Sequence, residues 1–99
     1  MGAARGLKAA GVQITFKLFA NLGEYLPREH DGRRPVDHEI KVDVPEAAAV
    51  QDVIDRFHVP PDLVHLVLVN GRYVAPAQRS SHRLKEGDAL AVWPPVAGG

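Results

Sequence analysis

The 99-residue chain predicts an α+β fold, a roll in which a mixed sheet of four to five strands packs on one main helix. Three observations lead there. Residues 12–19 alternate Val12, Ile14, Phe16 and Leu18 with Gln13, Thr15 and Lys17, the period-two pattern of a half-buried strand. Val50, Val53, Ile54 and Phe57 stand at i, i+3, i+4 and i+7, a single apolar stripe on a helix whose other face carries Gln51, Asp52, Asp55 and Arg56. Asn70-Gly71, a pair that tolerates positive φ at both positions, separates the apolar run Leu66, Val67, Leu68, Val69 from Arg72, Tyr73 and Val74 and so marks a hairpin. A helix with one apolar stripe must cover one face of the sheet.

The remaining elements follow in order. Residues 20–26 suit a short helical turn, with Ala20, Leu22, Tyr25 and Leu26 available for packing and Pro27 ending it. Residues 27–38 are polar and contain Gly32, Pro35 and the Arg33-Arg34 pair, which predicts an exposed loop. Alternation returns over residues 39–44, where Ile40, Val42 and Val44 face the core and Lys41 and Asp43 the water. If the loop simply reverses the chain, this strand runs antiparallel to the first. Pro60-Pro61 stops the helix, and Asp62 is placed to cap a brief turn. Residues 75–82 read as a loop, Lys85-Glu86-Gly87-Asp88 as a tight turn and residues 89–93 as the final strand. The expected organisation is a flexible extension over residues 1–11, one domain over 12–93 and an extended tail over 94–99.

Composition narrows the function. Hydrophobic residues make up 45% and charged residues 24%, which is ordinary for a globular domain. Twelve Lys and Arg balance twelve Asp and Glu, so no net field draws the chain onto nucleic acid or an anionic membrane. No run approaches the roughly 20 apolar residues of a spanning helix, and residues 1–11 lack the apolar core of a secretory signal. A cytoplasmic location is the expectation. Cysteine is absent, so no side chain can carry a persulfide or form a thioester. His30, His38, His58, His65 and His82 include no pair at metal-binding helical spacing, and Asp52 and Asp55 belong to the polar face of the helix. Neither a bound metal nor a nucleotide is expected, and the chain lacks a nucleophile elbow, a P-loop and a dinucleotide fingerprint.

Strand parity points to a surface. With Ile14, Phe16 and Leu18 facing the helix, Phe19 faces away; with Leu90 and Val92 facing in, Trp93 faces out. Leu68 and Tyr73 fall on the same outward side if the Asn70-Gly71 turn has two residues. Several large apolar residues on one exposed face suggest a docking patch.

Taken together, Lys17-Leu18-Phe19-Ala20, Val67-Leu68-Val69-Asn70-Gly71, Glu86-Gly87-Asp88 and the ending Trp93-Pro94-Pro95-Val96-Ala97-Gly98-Gly99 resemble the ubiquitin-like β-grasp sulfur carriers of the MoaD/ThiS type. The resemblance runs from about residue 12 to residue 99. The ending is most similar to that of the molybdopterin synthase small subunit. With Gly at about 7% of residues, a terminal Gly-Gly arises by chance in roughly 0.5% of chains, so the pair gains its weight from the order of elements before it. Two features depart from the family. Ala47-Ala48-Ala49 offers no capping oxygen where relatives often place a Thr, a deficit of about 1 kcal/mol at the helix start. The family supplies no role for residues 1–11.

What the resemblance implies is chemistry at the chain end. A ubiquitin-activating-like adenylating enzyme would use ATP to activate Gly99, with Gly98 beside it, and a sulfur donor enzyme would convert the acyl-adenylate to a thiocarboxylate. The molybdopterin synthase large subunit would then receive the sulfur, meeting Phe19, Leu68, Tyr73 and Trp93 together with the tail residues Pro94, Pro95, Val96 and Ala97. The chain itself would be a carrier subunit with the active site in its partner. Thiamine, cysteine or tRNA thiolation shares this tail chemistry, and a ubiquitin-like modifier that forms isopeptide bonds is the alternative of another class.

Overall fold

In a computed structural model, which describes residues 11–28, 32 and 35–95, five strands and one α-helix form the predicted roll. The strands are β1 (Gly11–Leu18), β2 (Glu39–Pro45), β3 (Leu66–Val69), β4 (Arg72–Tyr73) and β5 (Ala89–Trp93), and the helix is α1 (Val50–Arg56). They order as β2-β1-β5-β3-β4. β1 lies between an antiparallel β2, with Ile14 opposite Val42, and a parallel β5, with Phe16 opposite Leu90. Pairing the first strand with the last carries the end of β5 to the same sheet end as the end of β1. This is the ubiquitin-like β-grasp, and it matches the fold class expected from the sequence. Most of the expected extension, residues 1–10, lies outside the described residues, as do Val96, Ala97, Gly98 and Gly99.

The core forms where the inner sheet face meets α1. Ile14, Phe16, Leu18, Val67, Leu90 and Val92 are almost wholly buried against Val50, Val53 and Ile54. Each such side chain contributes roughly 1.5–3 kcal/mol through burial. Phe57, the last residue of the stripe, is half-buried and packs on Phe16 with ring centroids 5.0 Å apart. Ile40, expected to face the core, is half-buried and packs at the margin of the core, while Val42 and Val44 of the same strand are buried.

The ends of α1 are held differently from the sequence expectation. Ala49 at its start has no side-chain acceptor, yet its N–H donates to Asp52 Oδ2 at 2.9 Å. The next two amides, of Val50 and Gln51, donate to the carbonyls of His82 and Arg79 at 3.0 and 2.9 Å. The segment between β4 and β5 thus accepts the amides that a Thr would have helped to cap. At the other end α1 stops before Pro60. His58 takes φ 59°, its N–H donates to the Asp55 carbonyl and the Val59 N–H to the Ile54 carbonyl, which is a Schellman closure with His in the usual glycine place.

Smaller differences have local causes. β1 ends at Leu18, although the Phe19 N–H continues the ladder to the Val92 carbonyl at 3.0 Å. Ala20, which opens a 3-10 helix (Ala20–Tyr25), turns outward at φ 54° and is exposed, while Leu22 within that helix and Leu26 just after it are buried. Pro35, read as part of an exposed loop, is buried, and a second 3-10 turn (Val36–His38) precedes β2. Asp62 makes no capping bond; Pro60 and Pro61 open that turn instead. Asn70 and Gly71 take φ 53° and 82°, as the hairpin requires, and β4 is only Arg72–Tyr73, with the Val74 N–H still reaching the Val67 carbonyl. The late turn forms as read, with Gly87 at φ 84° and the Asp88 N–H donating to the Lys85 carbonyl.

Candidate partner-docking face and tail

The sheet face turned away from α1 is divided in two. On β1 and β2 it is polar: Lys17 Nζ lies 3.4 Å from Glu39 Oε1, and Lys41 Nζ donates to Thr15 Oγ1 at 2.9 Å. On β5, β3 and β4 it is apolar. Register places Ala91 beside Leu68 and Leu68 beside Tyr73, with Leu66 beside Trp93 in the next row. Alternation along β3 buries Val67 and Val69 and leaves Leu66 and Leu68 half-buried on the outward side. Tyr73 is 59% exposed, the one large hydrophobic side chain this open among the described residues.

Phe19 and Trp93 come together although 74 positions separate them in sequence. Their rings stack with centroids 4.3 Å apart and planes 5° from parallel. Parity predicted that both face outward; the parallel pairing of β1 with β5 is what sets them side by side. The stack stands at the sheet end from which Pro94 and Pro95 depart, the first half-buried and the second exposed. A partner that covers Leu68, Tyr73 and Trp93 therefore lies against the base of the tail. The remaining tail positions proposed from the sequence, Val96, Ala97, Gly98 and Gly99, fall outside the described residues.

Leu66 and Ala91 complete this face and were missed, although the parity that singled out Leu68 also places Leu66 outward. Among the described residues no cluster of His, Cys, Asp and Glu could hold a metal ion, and no helix is long and apolar enough to cross a membrane.

Comparison with solved structures finds this fold repeatedly. The HVO 2177 protein of Haloferax volcanii is 28% identical with a TM-score of 0.63, over 91% of this chain and 89% of that one. SAMP1 of the same organism is 30% identical with a TM-score of 0.59, over 88% and 99%. A candidate molybdopterin converting factor, subunit 1, from Pyrococcus furiosus is 27% identical with a TM-score of 0.59, over 86% and 99%. No curated protein sequence matches the chain. The family model for Mut7-C ubiquitin matches residues 11–98. From β1 through the tail, this chain belongs to the Mut7-C ubiquitin family (Ub-Mut7C), a ubiquitin-like β-grasp family whose structural relatives include sulfur-carrier and small-modifier proteins.

Proposed function

We propose that this chain is a sulfur carrier that works through the carboxylate of Gly99, with molybdopterin (molybdenum cofactor) biosynthesis as its pathway. A free carboxylate is a poor acyl electrophile, so a partner enzyme first joins it to AMP from ATP with release of pyrophosphate. A sulfur donor then displaces AMP and leaves –COSH, a nucleophile at neutral pH. Its sulfur attacks the pterin precursor held in the synthase large subunit, and water then cleaves the acyl C–S bond, leaving the sulfur on the precursor and the carboxylate on Gly99.

The observation that carries this reading is the continuity of the apolar face with the base of the tail, since Trp93 belongs to both. Docking on that face brings a short Pro94-Pro95 segment and two terminal glycines to the partner. The prolines hold φ and reduce the conformations lost on insertion, and the glycines lack a Cβ that would obstruct a narrow site. The sequence has no cysteine to take over the sulfur chemistry. Similarity to the Pyrococcus furiosus protein supports the molybdopterin pathway.

Similarity to SAMP1, at 30% identity, favours a second reading, in which the same activated terminus forms isopeptide bonds to lysines. Both readings are tested by incubating the chain with its adenylating enzyme, ATP and a sulfur donor and measuring intact mass. Replacement of one oxygen by sulfur at Gly99 supports the carrier. Lysine-linked conjugates without that product support the modifier, and an unchanged mass with a proven cognate enzyme refutes both.

A further inference from the structure

Arg79 lies off the docking face, between β4 and β5, and is the one charged side chain buried among the described residues, at 7% exposure. A buried guanidinium is costly unless its donors find acceptors. Here Nη2 donates to the His65 carbonyl at 3.4 Å, Nε has no acceptor, and no carboxylate among the described residues pairs with the group. The residue it holds is itself out of the regular ladder. Register sets Leu66 against Trp93, yet the His65 N–H also donates to the Trp93 carbonyl, at 2.9 Å. Two successive residues of one chain segment thus face a single residue of the other, the arrangement of a β-bulge. Bulges bend a strand pair and end its pairing, and this one stands where β5 gives way to Pro94. The Arg79 main chain is anchored in turn, because its carbonyl accepts the Gln51 N–H of α1.

We propose that Arg79 is a positioning residue for the tail: by holding the bulged His65 carbonyl it sets the direction in which Pro94 and Pro95 leave the sheet. The proposal rests on the reading of the chain as activated at Gly99 and adds the residue that aims that terminus. An apolar side chain of similar length would fill the same space without desolvating a charge. It would leave the His65 carbonyl unheld, so what the cation supplies is geometry at the tail exit.

The test compares Arg79→Met and Arg79→Lys in the full chain by NMR amide exchange and by steady-state activation with the cognate adenylating enzyme. In Arg79→Met the His65 amide is expected to exchange at least about tenfold faster, with the core amides of Ile14 and Val67 unchanged. Its kcat for activation should fall about tenfold at constant KM, because the docking face is intact while the terminus is misplaced. Arg79→Lys keeps a donor within reach of the carbonyl and should recover most of both losses. A merely structural Arg79 would instead lower the folded fraction, raising exchange throughout and raising apparent KM without lowering kcat. That pattern, or a His65 amide exchanging at the wild-type rate, overturns the proposal. If Arg79→Met does not fold, Arg79→Gln, a neutral side chain too short to hold the carbonyl, takes its place in the comparison with Arg79→Lys, with faster His65 exchange and a lower kcat expected and wild-type values for both refuting. Should the wild-type chain not be activated at all, the terminal-activation reading fails, and the exchange arm alone settles whether Arg79 holds the bulge.

Discussion

Removing the indole of Trp93 separates two effects that the structure ties together. In the free protein Trp93 stacks on Phe19 at 4.3 Å, an arrangement worth about 0.5–1.5 kcal/mol beyond its burial, so Trp93→Ala lowers stability even without a partner. In the proposed complex the same ring would sit nearest the tail, and truncating an aromatic at the centre of an interface costs about 2 kcal/mol or more. At about 1.4 kcal/mol per factor of ten, affinity falls roughly thirtyfold. The two losses are distinguished by a double-mutant cycle with Phe19→Ala. Urea unfolding should return a coupling of about 1 kcal/mol between the rings. Isothermal titration of the folded variants against the synthase large subunit gives the docking loss separately. Tyr73→Ala is the control: its ring is 59% exposed, so stability should change by no more than about 0.5 kcal/mol while affinity still drops. If folded Trp93→Ala and Tyr73→Ala both bound with wild-type affinity, the apolar half of the sheet would be ordinary surface and the docking assignment would be wrong.

Three further outcomes are expected. Deleting Gly99 should abolish sulfur transfer and leave the urea midpoint unchanged, since the residue lies beyond the last strand; loss of the cooperative transition would contradict the division into folded body and working tail. Gly23→Ala should destabilise by about 1 kcal/mol, because its Cβ would stand 2.8 Å from His38 Nδ1, and a second change, His38→Ala, should restore most of that loss in thermal unfolding. His58→Gly should raise stability by about 1 kcal/mol by relieving a left-handed residue at the end of α1, and a lower denaturation midpoint would show that the His58 side chain contributes something its exposure does not suggest.

Legibility of the fold followed the range of the interactions. The strand over residues 12–19, the stripe from Val50 to Phe57 and the Asn70-Gly71 turn are each set by neighbours a few positions apart, and each appears close to its expected place. Pro60-Pro61 predicts the helix stop, but α1 already ends at Arg56 and closes through His58, whose left-handed backbone carries no compositional signal. The alanines at the helix start carry no capping oxygen, and two of the acceptors that replace it, the carbonyls of Arg79 and His82, lie about thirty residues away. Arg79 was passed over inside a polar loop. No local pattern says that a guanidinium among Pro76, Gln78 and Ser80 will be buried.

By itself, then, the sequence determined which residues face the helix and which face away. It also determined that residues 94–99 read Pro-Pro-Val-Ala-Gly-Gly and that cysteine is absent. Alternation of period two makes orientation a local property, since each side chain's face depends only on its position in its own strand. Only the tertiary structure decided that Phe19 touches Trp93, that the outer face splits into an ion-paired half and an apolar half, and that His65 bulges against the base of the tail. All three depend on the parallel pairing of β1 with β5 and the antiparallel pairing of β3 with β5, contacts between segments far apart in the chain. Such pairings are chosen by the packing of the whole sheet on α1 and are not visible in any one segment.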